Sequence, residues 1–583
     1  MPAAHPPRPR LTLNVGITGH RASILPPDLI DDLVPAVDEV FRQLAAGMLR
    51  LHERERTLFD PASPRLRLHT PLASGADQMA ARGARASAFE IRALLPFAPD
   101  DYRADFTERA ERADFERELE AANRQFSLPG QRSDEEGAYV LVGKAVVAAA
   151  DVLVAIWDGG AANGPGGTGH VVDQALANGV PVIHLLVDRS GGQSGALRLL
   201  TDGEGGSPKV TPFGTPDTYD ALLGDTLLPH TTDERQHIAE FFAETTRRNN
   251  WRLEYPLLLT GLFVKSLPHA PWREAPLPPS DRVERPDLAT YAWANLLAIR
   301  YAQMFRSGHV ANYVLSASAV LLALVGLLFP AAKVFLVIAE LGAIGLLFLN
   351  TRAGTDGDWH RRWLQYRHLA ESLRPLFFLK GTGLISTPFR SDFVRGNAHR
   401  ETGADWTRWY AAAIWREMES PVGSIGPAET ASLARQFSEE QIIPQADYHR
   451  VNAARMSKLD HRLHEVGNFL IGAVICVCCL YLVGYVFIHD VAKSLTNAFI
   501  FLTAGLPAVG AAVFGLRGHG EHLLAASRSV SSATALDASA SRLAKVSDTE
   551  SLAREFEHAA SIMLADLNEW TIAYRERSLE IPA

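Results

Sequence analysis

The stretch Leu11–Arg21, LTLNVGITGHR, decides the first half of the chain. An apolar run from Leu11 to Ile17 passes directly into a turn made of Thr18, Gly19, His20 and Arg21. Such a run, ended by a glycine turn, reads as a buried strand. A helix follows over Leu29–Leu51, with Leu33, Val37, Val40, Phe41, Leu44 and Met48 at helical spacing. The alternation then repeats. Strands are expected at Leu66–Thr70, Phe89–Pro96, Asp151–Trp157 and Val180–Val187, with a charged helix through Asp101 to Phe126 after the third strand. Strand–helix alternation of this kind predicts a Rossmann-like α/β domain: a parallel sheet, right-handed crossovers and helices on both faces. In such sheets ligands bind beyond the carboxyl ends of the strands.

Three glycine-bearing loops follow strands and should meet at that edge. They supply Gly19, His20 and Arg21; then Ser74, Gly75 and Asp77; then Asp158, Gly159, Gly166, Gly167 and Thr168 within WDGGAANGPGGTG. The last is the richest, and it leads into a helix expected over Gly169–Asn178. Exposed N–H groups and the helix dipole at such a start favour phosphate. Each side chain has a plainer reading beside the functional one. Thr168 is a cap or a phosphate donor. Arg21 neutralises phosphate or is a solvated loop charge. His20 is a general base or a structural ring. Asp77 takes a ribose hydroxyl or caps a helix over Gln78–Arg85. Asp158 and Trp157 flank a base or ribose, or Trp157 belongs to the core.

Composition sets outer limits. A chain of 583 residues exceeds one ordinary domain, and its 57 Lys+Arg against 66 Asp+Glu give −9, unlike a binder of nucleic-acid polymers. Hydrophobic content of 47% and charged content of 21% exclude a mainly disordered chain. The three cysteines, Cys476, Cys478 and Cys479, share one apolar run, so neither a disulfide framework nor a cysteine-built metal site is expected, and no cofactor is implied. Met1–Arg10 is rich in Pro and Arg without an apolar core, so no secretory signal is expected.

Beyond residue 265 the character changes. A Pro-rich linker over 266–287 precedes a helical pattern from Leu288 to about Arg306. Four membrane-like runs then appear: Val310–Ala332, Val334–Asn350, Val466–Ile488 and Ser494–Leu516. About 20 apolar residues cross a hydrocarbon core. The runs form two hairpins (about 310–350 and 466–516), which divides the remainder into 288–465 and 466–583. Arg300, Arg306, Arg352, Arg361 and Arg362 flank the first hairpin; Lys458, Arg462, Arg517 and Arg528 flank the second; the turns carry only Lys333 and Lys493. The positive-inside rule and the even number of crossings place both termini in the cytoplasm of a multi-pass protein. Between the hairpins, WHRRWLQYRHLAESLRP (Trp359–Pro375) reads as an amphipathic helix with one charged face. Glu340 lies mid-run, where a carboxylate is costly unless neutral, paired or hydrated, and reads as pore-facing or as a packing group. Pro507 would kink the fourth run as a possible gate, while Gly505, Gly510 and Gly515 permit close helix contact.

GITGHR, LASGAD, Leu95–Phe97, DVLVAIWDG and GPGGTG together resemble the SLOG superfamily over about residues 11–190. That resemblance implies a Rossmann-like nucleotide-ligand sensor, or a phosphoribohydrolase. The second half resembles the SLATT type of effector, in Tyr301–Tyr313, in RHLAESLR and in the closing LNEWTIAYRERSLEIPA. This implies transmembrane hairpins with flanking cytoplasmic helices. Paired, the two resemblances imply a nucleotide-triggered sensor–effector of the bacterial inner membrane. It would act in antiviral defence by forming a pore, as a homo-oligomer in the lipid bilayer. The phosphoribohydrolases of the superfamily carry a glutamate three residues beyond the threonine; here that position is Val171. Binding is therefore expected rather than hydrolysis. A membrane-tethered nucleotide glycosidase would need Asp173, Asp77 or Asp158 instead. A scaffold with a vestigial pocket is the third reading.

Overall fold

A computed structural model describes residues 5–25, 27–161, 164–188, 195–203, 207–245, 252–265, 285–387, 405–574, 579 and 581. The linker expected over 266–287 lies outside them up to residue 284, as do residues 162 and 163 of the third glycine loop.

Nine strands build one sheet: β1 Thr12–Gly19, β2 Arg65–Thr70, β3 Glu90–Leu95, β4 Arg124–Ser127, β5 Val152–Trp157, β6 Val182–Leu186, β7 Leu197–Thr201, β8 Lys209–Pro212 and β9 Gly423–Ser424. Their order is β8-β7-β6-β5-β1-β2-β3-β4-β9. The five expected strands, β1, β2, β3, β5 and β6, pair in parallel as expected; β4 and β9, which were not expected, extend the parallel sheet, and β7 and β8 are added antiparallel. The chain runs outward from β1 through β2, β3 and β4, then returns to place β5 on the other side of β1. The switch point therefore lies between β1 and β5, where doubly wound sheets open a crevice.

Helices cover both faces. α1 Pro27–Arg54 and α2 Ala76–Ala86 bury Leu33, Val37, Phe41, Met79 and Ala80 against one face. After α3 Pro99–Tyr102 and α4 Arg109–Glu120, helices α5 Glu135–Ala149 and α6 Thr168–Ala177 bury Val142, Val146, Val171 and Ala175 against the other. The single helix expected over Asp101–Phe126 is thus corrected to two helices and a strand. Asn123 breaks the pattern: its side chain accepts from Ile91 N–H at 2.7 Å and its own N–H donates to Ile91 O at 2.9 Å, docking β4 beside β3.

α7 Pro216–Leu227, α8 Thr232–Ala243 and α9 Glu254–Gly261 lead to the helical region. It comprises α10 Pro286–Leu328, α11 Lys333–Asp356, α12 Trp359–Leu373, α13 Leu376–Gly381, α14 Asp405–Glu417, α15 Pro427–Phe437, α16 Ile443–Phe487, α17 His489–Ser494, α18 Thr496–Gly520, α19 His522–Leu543 and α20 Thr549–Tyr574. The helix expected over Leu288–Arg306 and the first apolar run are one continuous element, α10. Among the described residues four helices are long and apolar enough to cross a membrane. α10 packs on α11, α16 on α18, and α10 on α18 joins the hairpins. Gly515 allows that joint, since a Cβ there would lie 2.3 Å from the Tyr313 ring, and Gly505 faces Leu321 at 3.0 Å; Gly510 meets nothing within 4 Å. Val334, Phe335, Ile338 and Leu341 of α11, and Phe469, Ile475, Leu480 and Phe487 of α16, are exposed. Apolar surface of that extent suits lipid, not water.

No break in packing separates sheet and helices. One continuous core runs from Leu13, Phe41 and Phe89 through Phe241 to Tyr366, Trp406 and Phe437. α12 is central to it, and its charged face is packed against other elements. Its arginines are committed to ion pairs, Arg361 with Glu240 at 2.7 Å and Arg362 with Glu244 at 2.8 Å, and Glu371 is buried between Arg367 and Arg374. The segment after α14, within the span 288–465 assigned to the first hairpin and its cytoplasmic helices, returns to the amino edge of the sheet. There Glu419 pairs with Arg65 at 2.9 Å, Arg67 at 2.8 Å, Arg92 at 2.8 Å and Arg124 at 3.4 Å. The fully buried Arg67 also donates to the carbonyls of Arg416, Glu417 and Met418. Arg416 pairs with Asp151 at 2.9 Å just before β5.

Candidate functional site

The three glycine loops meet at the carboxyl edge, and backbone hydrogen bonds tie them. His20 N–H donates to Ile156 O, Ala22 N–H to Ser74 O and Ala76 N–H to His20 O, each at 3.1 Å. Gly19 is required by this contact: a Cβ would fall 2.4 Å from Ala76 Cβ and 2.7 Å from Ile156 O. Gly75 has φ +94°, and a Cβ would lie 2.5 Å from Ala22 N. These two glycines bring loop against loop, so their smallness is spent on assembling the edge.

His20 joins the first loop to the third. Its Nε2 lies 3.3 Å from the Asp158 N–H and 3.3 Å from the Asp158 carboxylate. Asp158 also accepts from Gly160 N–H at 3.0 Å, closing its own turn, in which Gly159 adopts φ +80°. Both side chains thus hold the loops in place. Trp157 is half-buried, its ring 5.3 Å from that of His184. Gly166, at φ +78°, brings the third loop onto Tyr139, whose Cβ would be 3.0 Å from an added Cβ.

The start of α6 differs from expectation. Gly167 is the cap residue and Thr168 the first helical residue, with no side-chain cap. The first-turn N–H groups of a helix have no partner within it, so α6 points an uncapped dipole at the edge. The cap residue's own N–H, that of Gly167, is taken by Gly164 O at 3.3 Å, and His170 Nδ1 of the first turn accepts from Gly166 N–H at 2.9 Å. Asp77 is not a cap either. Gly75 caps α2, while buried Asp77 reaches back to accept from Ala73 N–H at 3.2 Å. Burial pushes the Asp77 carboxyl up to about 7, against the opposing pulls of the Ala73 N–H and Arg21.

Beside these loops opens a cavity of about 550 Å³, lined by Arg21, Asp101, Asp105, Arg132, Glu135 and Tyr139. Asp105 organises it. Arg132 pairs with it at 2.5 Å, the Tyr139 hydroxyl donates to it, and Arg21 stands 3.7 Å away. Arg21 also lies 5.1 Å from the centre of the Tyr139 ring. Burial, then the bond to Asp105, raises the Tyr139 pKa and keeps its hydroxyl a donor. Acids therefore accompany cations throughout the lining. A bare phosphate would meet repulsion as well as attraction, whereas a ligand with phosphate at one end and hydroxyl or amine groups at the other matches both.

The eleven residues expected to bind ligand lie on the three loops or the helix starts that follow them, and of the eleven Arg21 alone lines the cavity. The residues that shape the cavity, Tyr139, Asp105 and Arg132, were missed because they come from α5 and from the turns after β3 and β4. The signal was present in DDYRAD and in the helix start DEEGAY, which follow strands as the glycine loops do. Asp173 is exposed on α6, and Val171, where a catalytic glutamate would stand, is buried. In the helices, Glu340 is half-buried on α11 with no ion-pair partner among the described residues, and Pro507 lies on an exposed face of α18, which continues through it. Among the described residues no group of three or more His, Cys, Asp or Glu side chains is placed to hold a metal ion. No protein-family model, curated protein or solved structure matches the chain.

Proposed function

We propose that the chain is a membrane-bound sensor–effector whose α/β domain binds a nucleotide-type ligand at the carboxyl edge of its sheet. The observation that carries this reading is the carboxyl edge: three tied loops, an uncapped α6 and, beside them, a mixed-charge cavity that Arg21 shares with the segments after β3 and β4. Arg21 and α6 would take the phosphate; Asp105 and Glu135 would take ribose hydroxyls or a base amine. The helical region would sit in the bacterial inner membrane with both termini cytoplasmic, as in the SLATT type it resembles. Ligand binding would shift the hairpins, within a homo-oligomer, toward a state that permeabilises the bilayer in antiviral defence. The shared core favours such coupling, because α8 and α12 pack directly, with the Phe241 and Tyr366 rings 5.5 Å apart and Arg361 on Glu240 at 2.7 Å. A ligand shifts the balance only by its differential affinity for the two states.

A titration of the purified full chain with AMP, ADP-ribose and NAD, followed by dye release from liposomes, tests this. Saturable binding that depends on Arg21 and triggers leakage supports it. Absence of binding by every nucleoside phosphate sinks it. One observation favours a second reading, a tethered nucleotide glycosidase: a buried carboxyl with a pKa of about 7 suits proton transfer at neutral pH. Product formation abolished by Asp77→Asn would favour the enzyme.

A further inference from the structure

A second cavity, of about 570 Å³, lies where three of the four apolar runs end. Val310 and Tyr313 at the foot of the first run, Leu459 and Leu463 before the third, and Leu516 at the end of the fourth form an apolar wall. At one end the lining turns polar, with Arg306, His309, His519 and His522. α9 and α12 close it through Tyr255 and Trp363.

The charge at that end is not compensated. Arg306 stacks 5.0 Å from the Trp363 ring and 5.6 Å from the Tyr255 ring, yet donates no hydrogen bond and meets no carboxylate among the described residues. Arg455 stands beside it with one bond, to Asn452 at 3.0 Å, and a buried Nε without a partner. Burial lowers the Arg455 pKa, and repulsion from Arg306 adds to this. The nearby carboxylate of Asp460 is taken by Arg517 in two bonds of 2.9 and 3.0 Å. Burial holds His522 down to about 4, so this ring offers hydrogen bonds and no charge. The Arg306 guanidinium, with unspent donors on an apolar wall and the buried Arg455 charge behind it, forms a receptor for a group that is anionic at one end and greasy at the other.

We propose that this cavity binds an anionic amphiphile, its phosphate or carboxylate against Arg306 and its acyl chain along Leu459, Leu463 and Leu516. The inference rests on the membrane placement of the hairpins and not on the nucleotide reading. The occupant is either a bilayer lipid or a free acyl acid, since both present the same chemistry.

The test is quenching of Trp363 in the full chain, isolated as the difference from Trp363→Phe. Membrane insertion is checked first by resistance to alkaline extraction, so failure of that placement is seen separately. The probes are 11-bromoundecanoate, its neutral alcohol, and nanodiscs of brominated phosphatidylglycerol or brominated phosphatidylcholine. Saturable quenching by either anionic probe, with little from its neutral counterpart, is expected; which anionic probe acts identifies the source. Arg306→Gln should weaken it about tenfold or more. Gly518→Phe, at a position where a Cβ meets nothing within 4 Å, should block the cavity and abolish it even if the arginine variant fails to fold. Equal quenching by neutral and anionic probes, or quenching unchanged in Gly518→Phe, overturns the proposal.

Discussion

At the amino edge of the sheet, Glu419 is held by four arginines and the returning segment after α14 fills the space. At the carboxyl edge, Arg21 is half-exposed and looks into a cavity. Both edges belong to the same strands and both are rich in charge. The difference lies in what the charge is used for. Arg67 and Glu419 are partners whose loss leaves a buried ion uncompensated. Arg21 and Arg132 are partly wet and meet at Asp105, and Arg132 also pairs with Glu135 at 3.1 Å. One edge is closed by its own chain, and the other keeps an open cavity.

Removing the partner at the closed edge should have the largest effect. Glu419→Ala strands Arg67 and is expected to destabilise the fold by about 3–5 kcal/mol, read as a lower unfolding midpoint. The same truncation at the open edge, Arg21→Ala, should leave the midpoint nearly unchanged. If both variants unfold equally early, the contrast is false.

Opposite pH slopes come next. Burial raises Asp77 from an ordinary 3.8 to about 7, so between those values the folded state holds the extra proton and stability falls as pH rises. Asp77→Asn should therefore stabilise by roughly 2–4 kcal/mol above pH about 7, a gain that fades as pH drops toward 4. At the closed edge, burial and then Arg67 push Lys380 from 10.5 down to about 7, so the unfolded state holds the extra proton and stability rises with pH across that window. Lys380→Met should stabilise by roughly 2 kcal/mol below pH about 7 and lose that advantage toward pH 10.5. Melting scans from pH 5 to 9 read both; slopes of the same sign would contradict the assignments.

The next effect is on binding. Arg21→Ala should cost about tenfold or more in affinity for whichever nucleoside phosphate binds, measured by calorimetry. The smallest belongs to His20→Ala, which loosens the join between the first and third loops. About 0.5–1.5 kcal/mol of stability should be lost, with binding following modestly. A larger loss of binding than in Arg21→Ala would make His20 a ligand contact.

The α/β alternation, the glycine loops and the four apolar runs could be read from the chain because each is a local signal. A buried strand needs a short apolar run, a tight turn needs glycine, and a span needs unbroken apolar length. β4 and β9 could not, because RQFS and GS are too short and too polar to announce strands; they pair because Asn123 and Glu419 dock them. The same holds at the candidate site. The edge residues were legible from their glycines, whereas Tyr139, Asp105 and Arg132 acquire meaning only when α5 is laid beside the first loop.

Sequence alone determined that an α/β half is joined to a half with apolar helices, and that three loops crown the strands. Only the tertiary structure decided which edge is free, that α12 is core, and that one packed interior unites both halves. Periodicity and turn chemistry act over a few residues and are written along the chain. Charge pairing and burial act between residues hundreds apart, and exist only once the chain has closed on itself.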